Sequence, residues 1–151
     1  HTLRKRTEVW NGDFMVIRDI MSDPVIVISQ DTSVCETANV MREHNIGAVP
    51  VVDSNDNVVG IITDRDIVIR NTARGLDPGK TKVSDIMSEN VTVVSPEAEI
   101  DDVADMMSRD KVRRIPVVEN NKVIGVVALS DVALCRDYKI ECAEALCEIS
   151  K

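Results

Sequence analysis

Apolar and polar positions follow one pattern along the chain, and the pattern is written twice. Val25-Ile26-Val27-Ile28, flanked by turn-forming residues, is a β-branched run that predicts a short strand. Val34, Ala38 and Met41 then recur at helical spacing, with Asp31 or Thr32 as the cap, and predict an amphipathic helix. Ala48-Val49-Pro50-Val51-Val52 predicts a strand whose proline belongs at its start or on an edge. The polar turn Asp53 to Asn57 reverses the chain into Val58-Val59-Gly60-Ile61-Ile62, and Thr63 opens a second helix over Asp64 to Asn71. The second telling has the strand Val91-Thr92-Val93-Val94, then Ser95 as N-cap with Pro96, Glu97 and Glu99 in the first turn. Ile100, Val103, Ala104 and Met107 make its helical stripe, and Arg114-Ile115-Pro116-Val117-Val118 its proline strand. Each telling therefore reads strand, helix, strand, strand, helix.

The two copies are in register. Between Asp19–Val52 and Asp85–Val118 the offset is 66, with 12 identities in 34 positions, and it drops to 65 beyond a shorter polar turn. Asp-Ile-Met-Ser introduces both. These features predict an α/β (α+β) fold of two pseudo-symmetric repeats packed through their sheets. Residues 15–73 form the first repeat and 83–136 the second, joined by a linker at 74–82 that contains Gly75, Pro78 and Gly79. Residues 1–14 match neither copy and read as an extension or leading remnant, unless Trp10 and Phe14 dock on the core. Residues 137–151 read as a C-terminal helix.

Composition narrows the function. With one Trp, one Phe and one Tyr, the core must be built from Val, Ile, Met and Ala. A net charge of -8 argues against non-specific nucleic-acid binding, and no apolar run approaches the length of a membrane span. Cys35, Cys135, Cys142 and Cys147 lack paired metal-ligand spacing and read as small buried hydrophobes in a reducing cytoplasm. His44 reads as a partner for a helix C-terminus, and Asp101, Asp102 and Asp105 as a solvated face. No catalytic constellation, metal set or phosphate loop is present, so neither an enzyme nor a metal site is expected.

The informative residues lie where the copies differ. The first repeat carries Thr63, Arg65 and Asp66, while the second has Ala128, Ser130 and Asp131 at the matching turn. Arg113-Arg114 replaces Gly47-Ala48 before the proline strand. As structure alone, Thr63 is an N-cap and Asp66 its first-turn partner. As chemistry, a carboxylate can accept both hydroxyls of a ribose, and a hydroxyl with helix-terminal amides suits a phosphate.

Asp-Ile-Met-Ser, the Pro-Val-Val strand and the Gly-apolar-apolar-Thr-x-x-Asp turn, repeated in register, resemble tandem cystathionine β-synthase (CBS) domains, the Bateman module. The pattern is similar to small stand-alone bacterial CBS-pair proteins and covers Ile17 to about Arg136. The resemblance implies two pseudo-symmetric clefts, dimerisation through helices, and adenosine-containing ligands such as AMP, ATP or S-adenosylmethionine. It implies one cleft of Thr63, Arg65 and Asp66 completed by Met87 to Val91 and Val112-Arg113. The other would join Ser130 and Asp131 to Met21 through Val25 and Ile46-Gly47. On that assignment the first cleft gathers the cations and takes the phosphoryl ligand. The resulting expectation is a non-enzymatic regulatory homodimer with no cofactor, an adenosine nucleotide as regulatory ligand, and an effector protein of unknown identity. The alternative is a ligand-free dimerisation module with vestigial clefts. A metal-binding or redox protein using the C-terminal cysteines is the third reading.

Overall fold

A computed structural model describes residues 15–22 and 25–135, and the expectations for Trp10, Phe14, Tyr138, Cys142, Cys147 and the C-terminal helix lie outside them. In chain order the elements are β1 (Ile28–Ser29), α1 (Val34–His44), β2 (Ala48–Val52), β3 (Val58–Thr63), α2 (Asp64–Asp66), α3 (Ile100–Asp110), β4 (Arg114–Glu119) and β5 (Lys122–Ala128). A π-helical stretch Ile67–Thr72 continues α2, and residues 129–135 are helical after β5. Short 3-10 turns Ile17–Asp19 and Val83–Asp85 form the lead-ins to the repeats. No helix among the described residues is long and apolar enough to cross a membrane.

The described residues fall into two units that do not coincide with the repeats. One comprises 25–92 and 118–124, the other 15–22, 93–117 and 125–135. The lead-in of each repeat thus belongs with the body of the other. In the unit containing Thr63, the Val83 amide donates to the Thr32 carbonyl at 2.8 Å, and Ser88 and Ile61 exchange both backbone bonds at 3.0 Å. In the unit containing Asp131, Ile17 donates to Ala98 at 3.0 Å, and Ser22 and Val126 exchange bonds at 2.9 and 3.2 Å. These contacts are related by the sequence repeat.

Glycine makes both dockings possible. A β-carbon at Gly60 would lie 2.5 Å from Met87 Sδ and 2.9 Å from the Ser88 carbonyl; at Gly125 it would lie 2.7 Å from Met21 Sδ and 2.9 Å from the Ser22 carbonyl. The strand backbone and the Met-Ser backbone approach too closely for any side chain.

In the unit containing Thr63, the sheet runs β1-β2-β3, parallel then antiparallel. The expected strand Val25 to Ile28 shrinks to Ile28–Ser29, and Pro50 explains why. Pro50 lies opposite Ile61, whose backbone groups are engaged by Ser88 on its other side. The missing Pro50 donor therefore faces β1, where the ladder stops at Ile28↔Val51. The second copy keeps only a bridge between Val94 and Val117, again one residue past its proline. Ile28, Val34, Met41, Val49, Val51, Ile62, Val83 and Ile86 form the apolar core of this unit. In the other unit Ile17, Ile100, Val103, Met107, Ile115, Val117, Val127 and Val132 are buried. The second unit's core thus draws on Val, Ile and Met, as the scarcity of aromatics required.

Helix boundaries correct the sequence reading. Ser33, and neither Asp31 nor Thr32, caps α1, accepting the Glu36 amide at 3.1 Å. The buried stripe is Val34, Thr37 and Met41, with Ala38 exposed. Thr37 enters the core by donating its hydroxyl to the Ser33 carbonyl at 2.9 Å. In the second copy Ser95 caps only a turn, taking the Glu97 amide at 3.2 Å, and α3 starts after Glu99. The linker is an integral element: carbonyls of Thr81 and Pro78 accept the Val34 and Cys35 amides, both at 2.9 Å, which satisfies the first donors of α1. His44 ends α1 as expected, with Asn45 in the left-handed conformation behind it. Cys35 is exposed and Cys135 buried, so the expectation of buried thiols holds for one of the two described.

Candidate functional site

Thr63 closes β3, and the chain turns there because its side chain and that of Asp66 cap each other. Thr63 Oγ1 accepts the Asp66 amide at 3.1 Å, and Asp66 Oδ2 accepts the Thr63 amide at 3.0 Å. The Asp64 amide donates to the Gly47 carbonyl at 2.9 Å and the Arg65 amide to Asp64 Oδ1 at 2.8 Å. Four successive amides are therefore engaged. The anion corner expected from the Thr63 hydroxyl and helix amides is not available here, because the turn's own side chains fill it. What remains is the Thr63 hydroxyl proton, Asp66 Oδ1 and the exposed Arg65 side chain. With only 15% of its side chain exposed, Asp66 holds in a fixed position one carboxylate oxygen that the capping box does not use.

Two further groups lie in the unit of this turn. Met87 packs over Gly60 and partly against the core, and the half-buried Val91 follows on the same lead-in. Arg70 reaches across from the π-helical stretch. Its Nη1 donates to the carbonyls of Ile86 at 3.1 Å and Met87 at 3.3 Å, while Nε stands 3.8 Å from Asp66 Oδ1. Sequence reasoning missed Arg70. A single arginine four residues beyond Asp66 looks like an ordinary helix-surface ion pair, although that i,i+4 spacing was the available signal.

The equivalent turn of the second repeat is looser. Ala128 supplies no hydroxyl, and its amide meets Asp131 Oδ2 at 3.4 Å, so half of the box survives. Among the described residues no side-chain cap of the Ser130 and Asp131 amides is seen. Met21 packs over Gly125, as Met87 does over Gly60. Cys135 stands at the position of Arg70, and its thiol lies 2.9 Å from Met15 Sδ.

Met87 lies against Gly60 in the unit of Thr63, and Met21 against Gly125 in the unit of Asp131. The segments before the proline strands instead stay with their own repeats. Gly47 is bonded to Asp64 at 2.9 Å, and the Arg113 carbonyl accepts the Leu129 amide at 2.7 Å. Ile46 and Val112 are tied to the ends of α1 and α3 by bonds to the Met41 and Met107 carbonyls, at 3.0 and 3.1 Å. Val25, half-buried, lies in the unit of Thr63. The exposed Arg113 and Arg114 accompany Ser130 and Asp131, while the Thr63 turn has Gly47 and Ala48 at those positions. The reason is the chain path: a helix-end turn and a short strand fix each segment beside the strand that returns from it.

No group of three or more His, Cys, Asp or Glu among the described residues is arranged to hold a metal ion. Comparison with known proteins gives a consistent picture. The chain is 37% identical over 134 residues to the CBS domain-containing protein YhcV of Bacillus subtilis (strain 168), covering 89% of this chain and 94% of that one. Among solved structures it is similar to Hypoxic Response Protein I with two coordinated zinc ions (34% identity, TM-score 0.74, 79% of this chain and 97% of that one). It is also similar to the CBS domain pair of protein MJ0100 in complex with 5'-methylthioadenosine and S-adenosyl-L-methionine (31% identity, TM-score 0.74, 84% of this chain and 99% of that one). The family model for the CBS domain matches residues 17–70 and again 83–136. Those two segments already share their docking contacts and their glycines, and the chain belongs to the CBS domain family as a tandem pair.

Proposed function

We propose that this CBS pair is a non-enzymatic regulatory module that binds an adenosine-containing nucleotide and signals its presence to a partner protein. The observation that carries the reading is the Thr63–Asp66 box. It holds a carboxylate nearly buried, commits Oδ2 to the backbone and leaves Oδ1 as an acceptor for a ribose hydroxyl, with the Thr63 hydroxyl beside it as donor. The complex of MJ0100, a relative with similar architecture, with two adenosine derivatives supports the ligand class. The Asp131 turn is a separate candidate: it keeps the carboxylate, and the Arg113 segment bonded to Leu129 supplies a cation suited to a phosphoryl group.

The test is a thermal-shift and calorimetric screen of the chain against AMP, ADP, ATP, S-adenosylmethionine and cyclic dinucleotides. A ligand at a hundredfold over its Kd stabilises by about 2.7 kcal/mol. Absence of any shift across this panel contradicts the proposal. A second reading, a ligand-free dimerisation module, is favoured by the half-lost box at Ala128. The exposed Val68 and Ile69 of the π-helical stretch also favour a homodimer. Sedimentation with and without nucleotide separates the two readings.

A further inference from the structure

Among the described residues Arg70 touches both the proposed ribose carboxylate and the docked lead-in of the other repeat. Its guanidinium donates to the Ile86 carbonyl at 3.1 Å and to the Met87 carbonyl at 3.3 Å. These carbonyls sit at the C-terminal end of the 3-10 turn Val83–Asp85, where a cation meets the negative end of the backbone dipoles. The same guanidinium pairs with Asp66 Oδ1 at 3.8 Å, too long for a hydrogen bond but close enough for attraction. Asp66 Oδ1 is also the oxygen that the capping box leaves free. Two claims thus converge on one oxygen, that of Arg70 and that of a ligand hydroxyl.

We propose that Arg70 is a positioning residue that couples occupancy of the Thr63–Asp66 turn to the hold on the Ile86–Ser88 lead-in. The proposal rests on the nucleotide-binding reading above and adds the way in which binding is transmitted. A ribose hydroxyl donating to Oδ1 draws that oxygen's charge toward the ligand and weakens its pull on Nε. The guanidinium is then left to the two carbonyls, and the lead-in is held more firmly. The lead-in answers readily to such a change, because the Met87 and Ser88 amides bond only to the backbone, at Val83 and Ile61. The second repeat has Cys135 at the corresponding position, so the device belongs to the first turn alone.

The test is hydrogen–deuterium exchange over residues 84–91 of the full chain, with and without saturating AMP, in wild type, Arg70→Met and Arg70→Lys. In wild type, AMP slows exchange at Met87 and Ser88 by about threefold to tenfold, the range expected for strengthened charge-assisted bonds. Arg70→Met, compared at AMP concentrations that saturate each protein, loses this response. Arg70→Lys, which keeps the charge and loses the fork that spans two carbonyls, recovers less than half of it. Should Arg70→Met not fold, Arg70→Lys carries the test. A full wild-type response in either variant overturns the coupling role. Loss of AMP binding by more than about tenfold in Arg70→Met overturns it too, by making Arg70 a ligand contact. Absence of AMP binding by wild type overturns the nucleotide reading and this proposal with it.

Discussion

The carbonyl oxygen of Arg113 accepts the amide hydrogen of Leu129 at 2.7 Å. That bond fixes an arginine-bearing segment beside the Asp131 turn, and its counterpart between Gly47 and Asp64 fixes an uncharged one beside the Thr63 turn. The two turns consequently differ in what they can hold. The first offers an acceptor suited to a sugar, the second a cation suited to an anion.

Replacing Arg113 by Ala should weaken AMP binding at the Asp131 turn roughly threefold to tenfold, the lower end reflecting the exposure of this side chain. Adenosine, which has no phosphate, should bind as before. Calorimetry with both ligands checks this, and an equal loss for both contradicts the assignment.

Gly60→Ala should destabilise the fold by about 1–3 kcal/mol, because the new methyl must displace the Ser88 backbone as well as the Met87 side chain. Urea denaturation measures it. Adding Met87→Ala should restore only part of the loss, since the Ser88 carbonyl remains in the way.

Ser33→Ala should cost about 1 kcal/mol through the lost cap of α1, and Ser95→Ala distinctly less, because Ser95 caps a turn outside α3. Equal costs in denaturant melts would restore the helix start read from the sequence.

Ala128→Thr should rebuild the second capping box and raise stability by about 0.5–1 kcal/mol, read from the urea midpoint. An unchanged midpoint would mean that the 3.4 Å contact reflects more than a missing hydroxyl.

The repeat, its order of elements and the turn chemistry were legible because Met21 and Met87, Gly60 and Gly125, and Asp66 and Asp131 recur in register. The docking of Met87 on the first repeat also followed from the resemblance. The location of Gly47 and Arg113 did not, because two copies with one pattern do not say which copy a segment joins. Hydrogen bonds at the ends of α1 and α3 decided that, and their left-handed caps, Asn45 and Lys111, are weak signals in sequence. Asp31 and Thr32, both capping residue types, drew the reading of the α1 cap away from the adjacent Ser33. The shortness of β1 depends on which side of the sheet Pro50 leaves without a donor, which only the pairing register reveals. Arg70 stayed hidden because its carbonyl partners lie on a distant segment.

The most direct test of the central claim is calorimetric titration of AMP into wild type and Asp66→Asn. The asparagine oxygen can still accept the Thr63 amide, so the turn and its melting temperature should be kept, while the charged acceptor for the ribose is lost. The account predicts that wild type binds and that Asp66→Asn binds at least about tenfold more weakly. Equal binding by both proteins, or none by wild type, would contradict it.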